Sequence, residues 1–90
     1  MNLETVYSHN KLCPVRSLGD GQVIMAPSGD TTHSLEEIGV FIWNQLDGQK
    51  NLQNVLDAIL EEYDVNEDEA RTDLLEFVAQ MQASDLILET

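Results

Sequence analysis

The residues whose types could carry catalysis or hold a metal are few: His9, His33, Cys13 and the acidic run Asp64-Val65-Asn66-Glu67-Asp68. A metal centre needs three or four ligands at workable spacing, and His9 with Cys13 four residues on has no companion pair. A Cys13–His9 nucleophile pair would need a third orienting residue and an oxyanion-stabilising loop, and neither is evident. A calcium loop starting at Asp64 would put glycine sixth and a bidentate glutamate twelfth; those places hold Glu69 and Leu75. Gly19-Asp20-Gly21 lacks the following helix and lysine that cradle a phosphate. The sequence therefore predicts no catalytic residue, no metal and no cofactor: a binding protein rather than an enzyme.

The charge narrows what is bound. The chain has 90 residues, 42% hydrophobic, with 17 Asp and Glu against 4 Lys and Arg, a formal net charge of −13. A protein that grips nucleic acid neutralises phosphates with Lys and Arg. Only Lys11, Arg16, Lys50 and Arg71 are available, so neither nucleic acid nor an anionic membrane surface is an expected partner. The imbalance is concentrated in residues 51–90, net −10, against net −3 for residues 1–50. The apolar fraction is too high for a disordered acidic tail, and no stretch approaches the roughly 18 apolar residues of a membrane span. One cysteine forms no internal disulfide, and no secretory signal is visible, which predicts a cytoplasmic setting.

A single domain covers residues 1–90, with 1–11 as a loose arm or an extra strand. Residues 12–34 read as a β-meander punctuated by Pro14, Gly19, Gly21, Pro27 and Gly29: Val15 to Leu18, Gln22 to Ala26 and Thr31 to Ser34, joined by hairpin-type turns. From Leu35 the period becomes helical, and residues 35–88 form a three-helix unit. Leu35, Ile38, Gly39, Ile42, Trp43 and Leu46 share one face, Ser34 and Glu37 are placed as a capping box, and Asp47-Gly48 stops the helix. Asn51 caps a second helix with Leu52, Val55, Leu56, Ile59 and Tyr63 inside. Asn66, with Glu69 in capping-box position, starts a third, on which Ala70, Leu74, Phe77, Val78 and Met81 form the core stripe. Leu86 to Leu88 follow as an extended tail. The predicted fold class is α+β and winged-helix-like, an N-terminal three-stranded antiparallel sheet followed by three α-helices.

Two surface features point to peptide binding. Thr31, Thr32, His33 and Ser34 carry none of the lysines, prolines or bulges that blunt a sheet edge, so their backbone can accept a fourth strand. On the third helix the apolar surface continues from the core stripe round one shoulder through Leu75, Val78 and Ala79, while Asp73, Glu76 and Gln80 hold the other. A stripe of about 100° suffices to cover a core. The wider shoulder predicts a groove beside the open strand, lined by Leu75, Val78, Ala79 and Gln82.

Ser34-Leu35-Glu36-Glu37-Ile38-Gly39-Val40-Phe41-Ile42-Trp43 through Leu46-Asp47-Gly48 resembles the first-helix signature of PqqD-like proteins. Asn51-Leu52 through Tyr63-Asp64-Val65 and Asp73-Leu74-Leu75-Glu76-Phe77-Val78 with Asp85-Leu86 resemble the segments that follow it there. The likeness spans about Arg16 to Ile87. Its departures, Glu36 for Asn, Asn51 for Thr and Asp85 for Gly, touch no chemistry. The resemblance implies a RiPP recognition element: a non-catalytic peptide chaperone that binds the leader of a ribosomally synthesised precursor peptide by strand addition. Such a domain presents the leader to a modifying enzyme of the radical SAM or leader-protease type. It implies that the leader adds to the strand at Thr31 to Ser34 and lies against the helix from Glu67 to Ala83.

Two other classes fit the residues less well. A winged-helix DNA-binding regulator conflicts with the charge of the C-terminal half. An acyl or peptidyl carrier would modify Ser34, but His33 stands where that signature has Asp, and about thirty strand-like residues replace the helix a carrier places ahead of its serine. An open strand edge also leaves a strand-exchanged homodimer open.

Overall fold

Tight turns set the register of the sheet that dominates the N-terminal half. A computed structural model describes residues 2–90. The chain runs β1 (Tyr7–His9), β2 (Val15–Leu18), β3 (Gly21–Met25), β4 (Thr32–Leu35), α1 (Ile38–Gln45), α2 (Leu52–Glu62), α3 (Glu67–Ala83) and β5 (Ile87–Glu89). Gly19 adopts φ +61° at the first central position of the β2–β3 hairpin, a conformation glycine takes without steric cost. It fixes the pairs Val15↔Ile24 to Leu18↔Gly21. The turn around Gly29 fixes Gln22↔Leu35 to Met25↔Thr32. The result is an antiparallel sheet of order β2-β3-β4, the meander expected from sequence with its second strand one residue earlier and its third one residue later.

The shift of the third strand corrects the expected start of the first helix. Side chains alternate across a strand, so His33 and Leu35 share the inner face of the sheet with Ile24 and Gln22, and Ile24 and Leu35 are buried there. Leu35 is held in β4 by this packing and does not open a helix. Ser34 lies inside the strand, and α1 begins only at Ile38. The Ser34–Glu37 capping box is absent: Glu37 is itself the N-cap residue, at φ 45°, and no side chain caps the helix. Asp47-Gly48 does follow α1, but the left-handed Gly48 sits two residues past the C-cap Leu46.

The other two helices start where the sequence places them. Asn51 accepts from the Asn54 backbone N–H at 2.8 Å, and the Asn54 side chain accepts from the Asn51 N–H at 3.2 Å, a reciprocal box made with asparagine. Asn66 accepts from the N–H groups of Asp68 and Glu69. Glu67, Asp68 and Glu69 in the first turn complement the positive end of the helix dipole. Leu46, Leu52, Leu56, Ile59, Leu74 and Val78 are fully buried where sheet and helices meet. Each contributes about 1.5–3 kcal/mol relative to exposure. Trp43 is buried with them and stacks on His9, ring centroids 3.8 Å apart.

Of the stretch expected as a loose arm or an extra strand, the described part contains the short strand β1. β1 pairs antiparallel with β5, Tyr7↔Glu89 to His9↔Ile87, making a separate two-stranded sheet from the two ends of the chain. Tyr7 is buried, and burial, with Glu89 adding to it, pushes its phenol above the ordinary value. The Cys13 thiol is likewise pushed up, first by burial and then by Asp85. Both groups hold their protons more tightly folded than unfolded. Their contribution to stability is therefore complete below the unfolded-state values and is lost as pH rises through the folded ones. Urea denaturation across a pH series is expected to give constant stability from about pH 7 to 8 and a decline beginning near about pH 9. Stability that holds level past the ordinary tyrosine range would contradict this.

Candidate functional site

The chemistry doubted from sequence is not assembled. His9 Nε2 lies 2.6 Å from the Trp43 carbonyl oxygen, and Cys13 Sγ sits 3.5 Å from the Asp85 carbonyl oxygen. A thiol whose pKa is raised is the reverse of an activated nucleophile. Among the described residues no three His, Cys, Asp or Glu side chains converge as a metal site. Ser34, the residue a carrier would modify, lies within β4 rather than at a helix start.

What the fold builds instead is an open margin beside a groove. β4 is the last strand of its sheet, and on its far side it pairs with no other strand among the described residues. The direction of its free groups follows from the two turns. Ala26 N–H donates to the Thr31 carbonyl at 3.0 Å, and Met25 N–H donates to the Pro14 carbonyl at 3.0 Å. Hydrogen-bonded and non-bonded pairs alternate along an antiparallel ladder. Ile24↔His33 and Gln22↔Leu35 are therefore the bonded pairs between β3 and β4, and the N–H and C=O groups of Thr32 and Ser34 point away from the sheet. Two residues thus present four backbone groups in the spacing a fourth strand requires.

Beside this margin lies a groove of about 450 Å³ lined by Thr32, His33, Ser34, Leu35, Glu36, Gly39, Phe77, Gln80 and Met81. β4 supplies one wall and α3 the other. The start of α1 closes one end, where a Cβ on Gly39 would lie 3.6 Å from the Phe77 ring. His33 and Leu35 turn their side chains toward this inner side, while Thr32 and Ser34 turn theirs to the exposed outer face. His33 Nε2 is buried without a hydrogen-bond partner, as is Gln22 Oε1 on the neighbouring strand. The groove's lining is thus more polar than apolar, with Leu35, Phe77 and Met81 among its apolar members, and His33 brings a polar atom with no partner.

The α3 wall departs from the sequence-based expectation. Thr32, His33 and Ser34 line the groove, and Thr31 adjoins them at the head of the strand. Leu75, Val78, Ala79 and Gln82 are not brought to it. Val78 is fully buried in the core, and Leu75 packs against the core from the side. Ala79 faces solvent. Gln82 accepts a hydrogen bond from the Tyr7 hydroxyl at 3.2 Å, which turns that shoulder toward the N-terminal strand. The groove instead uses Phe77 and Gln80, about 60° apart on the other shoulder. A helical wheel gives the width of an apolar stripe but not which flank a neighbouring strand occupies; the placement of β4 decided it. The sequence signal that would have found Phe77 is Gly39, a gap in α1 opposite a large aromatic.

An apolar hollow, about 300 Å³ and lined by Pro14, Val15, Arg16, Leu18, Val23 and Met25, lies across β2 and β3. It does not adjoin the open margin of β4.

The family model for coenzyme PQQ synthesis protein D (PqqD) matches residues 21–87, from the first residue of β3 into β5. The chain belongs to the PqqD family. The matched span contains both walls of the groove and leaves out β1 and β2. Among solved structures, TbiB1 in complex with the TbiA(beta) leader peptide superposes with a TM-score of 0.78 at 24% identity, covering 89% of this chain and 93% of that one. At that identity the likeness is one of fold, and it establishes the α+β arrangement for this PqqD-family chain. No curated protein matches it.

Proposed function

We propose that this PqqD-family domain captures the leader segment of a ribosomally synthesised precursor peptide as a fourth strand on β4. It then presents that leader to a modifying enzyme, taking no catalytic part itself. The observation that carries the reading is the pair of outward-facing residues, Thr32 and Ser34, standing beside the β4–α3 groove. Backbone pairing there would supply affinity, and the alternate side chains of the leader, directed inward past His33 and Leu35 toward Phe77 and Met81, would supply selectivity. The fold it shares with TbiB1, a protein solved with a leader peptide bound, supports the same assignment. The enzyme served is of the radical SAM or leader-protease type, and the setting is the cytoplasm. The free β4 margin is also the place where a second copy would pair if the domain dimerises.

Hydrogen exchange tests the strand addition residue by residue. With a synthetic precursor leader that binds the domain, the amides of Thr32 and Ser34 are expected to slow by about tenfold or more at saturation. Those of His33 and Leu35, already in the ladder, should change little. Unaltered exchange at Thr32 and Ser34 with peptide bound would place the peptide elsewhere.

A further inference from the structure

The rim of the groove has one sign of charge. Glu36 lines it and Glu37 follows, so two carboxylates stand at the C-terminal end of β4. Asp30, in the turn before β4, marks the other end. Along α3, Asp73 and Glu76 lie one turn before Phe77 and Gln80 respectively, outside the groove's own lining but on the same side of the helix. All five acids are exposed.

The four cations are placed elsewhere. Arg16 is on β2, the opposite margin of the sheet. Lys50 is held by the Gln45 side chain at 2.7 Å, beside Asp47. Arg71 pairs with Glu67 at 3.2 Å and sits two residues from Asp73, hence across the helix. Lys11 lies in the loop between β1 and β2. Among the described residues no Lys or Arg lines the groove. The groove's margin is an unpaired strand, so the acids are the border of a site already defined by its backbone and its shape.

We infer that the peptide segment this groove accepts is cationic, an extended stretch carrying Lys or Arg. This rests on the peptide-capture reading above and specifies its ligand. Opposite charges at an exposed rim add modestly to affinity and more to association rate and partner choice. An anionic leader would instead meet Glu36 in the groove and further carboxylates along its approach.

Selection from a random dodecapeptide display library tests the inference with no ligand chosen in advance. The pool is selected on the protein at low salt and counter-selected on Thr32→Pro, which keeps the charge and removes an outward N–H. Margin-dependent binders are expected to carry a net positive charge and to weaken about fivefold or more between 50 and 500 mM salt. The triple variant Glu36→Gln/Asp73→Asn/Glu76→Gln, all at exposed sites, is expected to weaken them about tenfold. Asp57→Asn/Glu61→Gln/Glu62→Gln removes as much charge from α2, which contributes no residue to the groove, and should cost less than about twofold. Margin-dependent binders that are neutral or anionic, or an equal loss in both triple variants, would overturn the inference and leave peptide capture standing. An absence of any margin-dependent binder would overturn peptide capture itself, and the inference with it.

Discussion

Thr32→Pro is expected to abolish leader binding while leaving the domain folded. The Thr32 N–H points away from β3, so its loss removes no bond from the existing ladder, and proline is tolerated at a strand margin for that reason. In the complex the same change deletes a strand-pairing hydrogen bond and leaves a leader carbonyl unsatisfied. Together these cost about 2–4 kcal/mol, or about 30-fold to 1,000-fold in affinity. His33→Pro is the contrasting control. Its N–H lies on the β3 side, so the substitution breaks the β3–β4 ladder, and a stability loss of about 3 kcal/mol or more is expected. Isothermal titration with a synthetic leader, paired with thermal melts, separates the two. Thr32→Pro binding within threefold of the parent would show that β4 does not take the leader as a strand.

Removing residues 2–10 is expected to unfold the domain at 25 °C, even though this segment lies outside the part of the chain that the family model matches. The segment closes the start of α2. The Leu52 N–H donates to the Thr5 carbonyl at 3.1 Å and the Gln53 N–H to the Leu3 carbonyl at 2.8 Å. These are the first two helical residues, whose N–H groups no helix satisfies internally. The Gly48 N–H donates to the Tyr7 carbonyl at 2.9 Å, and β1 covers one edge of β5. Tyr7 is 2% exposed, and its loss alone is expected to cost about 3–5 kcal/mol. Against a total of about 5–15 kcal/mol for a typical domain, losing the strand, the helix closure and this side chain leaves little. Far-UV circular dichroism of the truncated chain and urea denaturation of Tyr7→Ala measure the two levels. A truncated chain with parental helicity and an unchanged melting midpoint would show the arm to be dispensable.

The helices were legible because their signals are local. Asn51 and Asn66 cap through their own side chains to backbone groups two or three residues away, and the apolar faces of α2 and α3 repeat at the helical period whatever surrounds them. The β2–β3 and β3–β4 turns were legible for the same reason, since Gly19 and Gly29 hold left-handed backbone in place. Where a residue answered to two neighbours, local reading failed. Ser34 and Leu35 fit the opening of a helix by pattern, yet Leu35 is drawn onto the inner face of the sheet opposite Gln22, and the helix waits until Ile38.

The same division runs through the site. By itself the sequence determined that the chain has a −13 charge and a Thr-rich third strand of the meander with nothing to blunt its edge. Each of these is a property of residue type or of short-range pattern. Only the tertiary structure decided which flank of α3 faces that strand. It put Phe77 and Gln80 in the groove, sent Val78 to the core and gave Gln82 to Tyr7. The reason is geometric: rotation of α3 about its axis is fixed by simultaneous packing against α2 and β5 and by the hydrogen bond from Tyr7 of β1 to Gln82, 75 positions apart, which no local period encodes.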